Sequence, residues 1–401
     1  MKIKNIKRFI HIGFIIIFAV FSFSHFVQNA INGFSKIPGY DFNLRYNEVE
    51  CLRKGIDPYD IVMKIKLSDE YALFATPEAR PGVKTLHVYT PWEYTYFLPF
   101  SCLSERTAGT IFLILSILSL IIIGIYSYYA GLKIRDNNLD GLFTASASLL
   151  LGNATKELFA MANYGAFNAL LILFLILALS RNYNVIAGIC WAFLMTKPQI
   201  GLLFAIPLIL KRRYITICVA VFICLVCSIP PSLMCGRTPW ELMMEVPRGC
   251  AFIAEANGTM IIPSTLFQKF HGTIPSALLG FVSMSIGVAI CFLLTWRLRN
   301  EKSWFIFIIP TIICAILWSY CKSHDRVILW ATQLLLAMTI IRTKQKAVLV
   351  FCLLLLPLTA WPFIYSDSAL TKLMRRLSLA LLLYGCWILP KFSTSNKQIN
   401  D

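Results

Sequence analysis

The sequence predicts an all-α polytopic membrane protein, and three observations predict it. Hydrophobic residues fill 58% of the 401 positions, only 14% are charged, and mean hydropathy is +0.69. A water-soluble domain carries about a quarter charged residues, so this chain has too few to coat a surface in water. The apolar residues also gather in separate runs, with most basic residues between them. Composition therefore excludes both an ordinary soluble enzyme and a disordered chain.

The basic start MKIKNIKRF leads into an apolar run over 10–27. No small-residue cleavage site closes that run, so it reads as an uncleaved first helix rather than a signal peptide. Further apolar runs lie at 109–130, 141–152, 164–180, 185–196, 200–210, 214–234, 274–296, 303–320, 327–341, 347–365 and 377–390. A straight crossing needs about 20 apolar residues, and several of these are shorter. Broken elements persist at membrane depth only when packed in protein or lining a wet cavity. The expected architecture is one integral membrane domain over 1–401, with about ten to twelve membrane elements and an internal site.

Charge sets the orientation. If the elements alternate from a cytoplasmic N-terminus, the segments 1–9, 131–140, 181–184, 211–213, 297–302, 342–346 and 391–401 are cytoplasmic. They hold 18 Lys+Arg against 4 Asp+Glu, nearly the whole net charge of +17. Short basic loops on one side are what the positive-inside rule demands. Both termini are then cytoplasmic, the protein sits in the cell membrane, and the basic total needs no nucleic acid. Lys372, Arg375 and Arg376 dissent by falling outside on this count. The thirteen cysteines lie mostly within apolar runs, where cysteine acts as a small hydrophobe. Cys224 and Cys227 form a C-x-x-C in mid-helix with no second ligand pair, so no metal is expected.

Two extracytoplasmic segments are long, 32–108 and 235–273, and long structured loops tend to be functional. The first carries ten carboxylates and opens with PGYDFNLRYNEVECLRKGIDPYDI. Asp41 follows the first span directly, which places its carboxylate at the outer interface. Helical spacing predicts an amphipathic helix ending at Gly55, with Asn47, Glu48, Glu50, Arg53 and Lys54 on its polar face. IDPYD reads as a turn. From spacing alone Asp41 is either a helix cap or a catalytic base. Further on, Tyr89, Trp92, Tyr94 and Tyr96 crowd the start of the second span, as an interfacial aromatic belt, a platform for sugar rings, or both.

These residues carry a resemblance. D41-F-N-L-R-Y after the first helix, G55-I-D-P-Y59, and Y89-T-P91 before the second resemble glycosyltransferase family 87. N163-Y-G-A-F-N168, M195-T-K-P-Q199 and N257-G-T-M-I-I-P-S are similar to later family segments, and YTPWEY departs from a more usual Tyr-Pro-Pro. The resemblance implies a GT-C fold with two structured outer loops and an enzyme using a polyprenyl-phosphate-sugar donor as co-substrate, without a cofactor. It would move a hexosyl group, mannosyl by analogy, to a lipid or glycan acceptor with inversion. Asp41 would then be the general base. Tyr40, Tyr46, Tyr59, Tyr89, Trp92, Asn168 and Asn257 would contact substrate.

The leaving phosphate needs fixed cations. Lys197 interrupts an apolar stretch, which marks either an intramembrane site or a hairpin tip at the outer interface. The turn C321-K-S-H-D-R326 offers Lys322, His324 and Arg326, with His324 similar to a late-loop histidine of the family. Arg45, Arg53 and Lys54 are weaker phosphate candidates, expected to be solvated. No nucleotide phosphate loop and no Asp-x-Asp pair occurs, which favours a lipid-linked donor. The alternative readings are a transporter or flippase for lipid-linked sugars, though no internal repeat supports one, and an envelope-polymer polymerase.

Overall fold

A computed structural model describes residues 2–63, 71–73, 84–86, 89–151, 153–246, 276–318 and 323–342. The expected elements at 347–365 and 377–390 lie outside the described residues, as do Lys322, Asn257 and the Lys372–Arg376 cluster. The described chain is helical apart from two three-residue strands, Tyr71–Leu73 and Lys84–Leu86, paired in parallel.

Helix α1 runs over Lys2–Phe34 and is succeeded in the first long segment by α2 (Tyr40–Arg53), α3 (Pro58–Met63) and α4 (Pro91–Phe97). Helix α5 (Glu105–Arg135) then crosses back and forms a hairpin with α6 (Asn138–Leu149). Ser104 caps the start of α5 by accepting from the Thr107 N–H, and Lys133 and Arg135 meet the negative end of the helix. Next come α7 (Asn153–Met161), α8 (Gly165–Ser180), α9 (Asn184–Leu194), α10 (Pro198–Gly201), α11 (Ala205–Leu210) and α12 (Tyr214–Cys235). A short helix over 239–246 opens the second long segment. Helices α13 (Ser276–Arg297), α14 (Trp304–Trp318) and α15 (Trp330–Arg342) complete the described bundle.

Among the described residues, Phe9–Phe34, α5 and α12 are each long and apolar enough to cross a membrane. Phe14, Ile17, Val20 and Val27 of α1, with Val221, Phe222 and Leu225 of α12, are exposed. A row of large apolar side chains facing outward is the lipid-facing surface of a bundle. Helix α13 also has 22 residues; the other elements are short, as the short apolar runs predict. One break was not expected: residues 153–161, read as connection, form α7, which meets α8 at 113°. Ala162 closes α7 with a left-handed φ of 47°, and the corner that results carries Asn163.

Two expectations about the first segment need correction. IDPYD is the capped start of α3, because the Asp57 carboxylate accepts from the Tyr59 N–H at 2.9 Å and Pro58 occupies the first helical position. The polar face of α2 is solvated only toward its end, at Arg53 and Lys54. Arg45, Asn47 and Glu48 are buried, because α4 folds back over α2. A dense aromatic cluster lies beside them, with the Phe97 and Phe112 rings in contact with each other and with both Phe42 and Tyr164. Arg237, just beyond α12, ties the two long segments together through Asp57 at 3.0 Å, Asp60 at 3.6 Å and Glu245 at 3.4 Å.

Candidate active site

Asp41 occupies the first turn of α2 and is 6% exposed. It gets there because Gly39, the residue before the helix, adopts a φ of +83° that a side chain would strain. A Cβ at Gly39 would also lie 2.7 Å from the Ala162 Cβ, so the start of α2 abuts the α7–α8 corner. That contact brings Asn163 to Asp41. The Asn163 Nδ2 donates to Asp41 Oδ2 at 2.5 Å. The orientation of the amide is fixed from its other side, where Oδ1 accepts from Lys197 Nζ at 2.8 Å and from the Gly165 N–H at 3.0 Å.

Lys197 stands between α9 and α10, ahead of Pro198 in the first helical position. The residue is buried, at 6% exposure. An ammonium held out of water needs a partner, and Lys197 forms an ion pair with Asp325. Asp325 opens a 3₁₀ turn over Ser323–Leu329. The same turn places His324 Nε2 at 3.6 Å from Asp41 Oδ2 and 3.8 Å from Asp325 Oδ2. Its close approach depends on Gly165, where a Cβ would meet the His324 carbonyl oxygen at 2.6 Å. Asp41, Asn163, Lys197, His324 and Asp325 thus form one buried polar cluster contributed by four separate stretches of chain.

Behind Asp41 a second network fixes the helix that carries it. Arg45, one turn along α2, donates through NH1 to the Asp41 backbone carbonyl at 2.7 Å and through Nε to Glu93 Oε1 at 2.6 Å. Its guanidinium is held between rings, 4.2 Å from the centroid of Tyr89 and 4.6 Å from that of Tyr164. Burial pushes the Glu93 carboxyl above the usual range against the pull of Arg45. Burial, and then the Glu48 carboxylate, also push the Tyr59 and Tyr94 phenols well up. Both therefore remain O–H donors: Tyr94 to Glu48 at 2.8 Å, and Tyr59 to the Tyr89 carbonyl at 2.6 Å.

The sequence profile of glycosyltransferase family 87 matches residues 87–321, more than half of the chain. The chain belongs to glycosyltransferase family 87. It is therefore a membrane glycosyltransferase, as its apolar helices and family together require. No curated protein and no solved structure matches it. The matched stretch holds Trp92, Glu93, Asn163, Asn168 and Lys197; Asp41 precedes it and His324 follows it, so it is narrower than the motifs running from Asp41 onward.

Within this family 87 transferase the expected site residues divide. Asp41, Lys197 and His324 converge. Arg326 follows them on the same turn and is partly buried. Tyr89 lies under the Arg45 guanidinium, and Tyr59 is buried behind it. Trp92 is 7% exposed and donates from its indole to the Met195 carbonyl at 3.2 Å, which anchors the segment bearing Lys197. Tyr46 donates to the Leu103 carbonyl at 2.8 Å, at the start of α5, and Tyr40 is partly buried beside Asp41. Asn168 is fully buried one turn into α8, and neither of its amide atoms has a hydrogen-bond partner among the described residues.

Of the three weaker phosphate candidates, Arg53 and Lys54 are exposed as expected and Arg45 is not. Arg45 is buried and committed to Glu93, because α4 covers its side of α2. Arg53 donates to the Ser101 carbonyl. Lys54 pairs with Glu50 one turn away and stays exposed. Sequence reasoning passed over Asn163, Asp325 and Glu93 as site residues. The signal for Asn163 was present in N163-Y-G165, an amide and a glycine two apart, the usual makings of a tight corner. Among the described residues no group of His, Cys, Asp and Glu has the arrangement of a metal site.

Glycine at 165 tests how closely the 3₁₀ turn must approach. The variant Gly165→Ala is expected to lose about 1–3 kcal/mol of stability, because the obstruction is backbone and cannot rotate away. A fall in the thermal midpoint of the detergent-solubilised protein checks it; an unchanged midpoint means the turn can withdraw freely.

Proposed function

We propose that this family 87 enzyme transfers a hexosyl group from a polyprenyl-phosphate donor to a hydroxyl of a lipid or glycan acceptor. The transfer takes place at the extracytoplasmic face and inverts the anomeric centre. Asp41 is the general base. The observation that carries this reading is the carboxylate at the start of α2, gripped by Asn163 and flanked by His324 and Lys197. An acceptor hydroxyl is a weak nucleophile at neutral pH. A positioned carboxylate that takes its proton contributes about 10²–10⁴-fold.

In the step, the acceptor oxygen attacks the anomeric carbon and its proton passes to Asp41. The bond from that carbon to the phosphate oxygen breaks on the opposite face, and polyprenyl phosphate leaves with one more negative charge. His324 and Lys197, with Arg326 on the same turn, are the cations that would meet this charge. Asn163 acts through Asp41: held by Lys197 and the Gly165 N–H, it keeps one carboxylate oxygen occupied and so fixes the plane of the base. The hexose, which mannose would fit by family resemblance, is selected elsewhere in the site.

Donor class is tested with purified protein in liposomes and two radiolabelled donors, a polyprenyl-phosphate hexose and a nucleotide-linked hexose. Labelled product is expected from the lipid-linked donor alone, with its anomeric configuration inverted by NMR. Transfer from the nucleotide sugar, or retention of configuration, would overturn this mechanism.

A further inference from the structure

At the end of the molecule opposite Asp41, the apolar cluster shared by α1, α6 and α15 encloses a cavity of about 160 Å³. Phe14 and Ile15 of α1, Phe143 of α6 and two isoleucines of α15 form its walls. Three ionisable groups also line it: His11, Arg135 and Asp140. Asp140 is 4% exposed, yet its Oδ2 has no hydrogen-bond partner among the described residues. Arg135 ends α5 exposed beside it, and no ion pair joins the two among the described residues.

A buried carboxylate oxygen without a donor costs free energy that some ligand or solvent group must offset. An inorganic divalent cation fits poorly, since it needs about six or more oxygens and a single carboxylate lines this cavity. A small polar solute leaves the aromatic and aliphatic walls unused. The three features together (a buried carboxylate, an exposed arginine and an apolar wall) match one chemistry, a zwitterionic headgroup with its acyl chain. Position agrees. Helix α5 has 31 residues, about 46 Å at 1.5 Å per residue. With Asp41 beside its first turn, its last turn reaches the headgroup level of the opposite leaflet.

We propose that this cavity is a binding site for an aminophospholipid of the phosphatidylethanolamine class. The primary ammonium donates to Asp140, the phosphate meets Arg135 and His11, and the first methylenes lie along Phe14 and Phe143. The site is independent of the transfer reaction and of Asp41. Its role is to hold α1, α6 and α15 together from the leaflet that the donor does not occupy.

The test uses the full-length protein in nanodiscs of equal parts phosphatidylethanolamine and phosphatidylglycerol, extracted into detergent and weighed by native mass spectrometry. The expected result is a retained phosphatidylethanolamine adduct, about tenfold over phosphatidylglycerol, because only the former brings a charge-assisted donor to Asp140. Replacing phosphatidylethanolamine by phosphatidylcholine removes the adduct, since a quaternary ammonium has no N–H to donate. Asp140→Asn erases the headgroup preference, and Arg135→Gln lowers retention of both phospholipids. Equal retention of the two headgroups by the native protein overturns the proposal. So does a preference that survives Asp140→Asn. Should Asp140→Asn fail to fold, Arg135→Gln on its exposed position decides: unchanged retention rejects the site.

Discussion

Replacing Asp41 by asparagine is expected to leave the protein inserted and folded while sugar transfer falls by about 10²–10⁴-fold or more. The substitution is nearly isosteric. Asn163 Nδ2 can still donate to an amide oxygen at position 41, and Arg45 still holds the backbone carbonyl there. What disappears is the proton acceptor. Transfer by the variant in liposomes, at saturating acceptor and donor, is the measurement, with chromatographic monodispersity as the folding control. Because removal of a base slows the chemical step, the loss belongs in kcat, with KM for the lipid donor little changed. Native rates in Asp41→Asn would dismiss this carboxylate as the base.

The second large effect falls on Lys197. Its ammonium and the Asp325 carboxylate are 8% and 3% exposed, and an ion pair this deep is held against the cost of desolvating both charges. Lys197→Met therefore removes the ammonium that neutralises the buried Asp325 carboxylate, a loss of about 3–5 kcal/mol. It also frees the Asn163 amide to turn, since only the Gly165 N–H then holds its oxygen. A sharply lowered thermal midpoint and lost transfer are expected together. The double variant Lys197→Met/Asp325→Leu separates the two causes: removing both charges is expected to restore most of the stability and none of the transfer. A double variant as unstable as the single one would mean that Asp325 is not left stranded by the change at 197.

The two networks around Asp41 differ in what they do. Asn163 and His324 reach the carboxylate itself, backed by Lys197 and Asp325, whereas Arg45, Glu93, Tyr89 and Tyr164 hold the helix beneath it. Charge that must stay in place within a membrane protein is paired in this way because water is not at hand to solvate it. Both networks pass through short, broken elements: the α7–α8 corner, the α9–α10 tip and the 3₁₀ turn before α15. Irregular backbone of this kind is where polar side chains can converge without opening a continuous transmembrane helix.

Much of this could be read from residues alone. Broken elements were expected from apolar runs too short to cross, and α9 to α11 are such pieces. Asp41, Lys197 and His324 were each legible as polar residues at helix ends or short turns. Arg45 was not, since a lone charge in the loop was expected to be solvated and only the return of α4 covers it. Glu93 was hidden for the same reason, as one charge within an aromatic stretch. Asn163 could be quoted as part of a motif but given no task, because its task depends on Gly39 bringing α2 against the α7–α8 corner.

By itself the sequence determined the membrane class, the short elements and the family, because hydropathy and loop charge are properties of consecutive residues and survive any packing. The tertiary structure alone decided which polar groups meet. Asp41 and Asn163 are 122 positions apart, and Lys197 and Asp325 are 128 apart. No local period encodes such a pairing. It is selected when the bundle packs, since at that depth each buried charge must find a partner supplied by another segment.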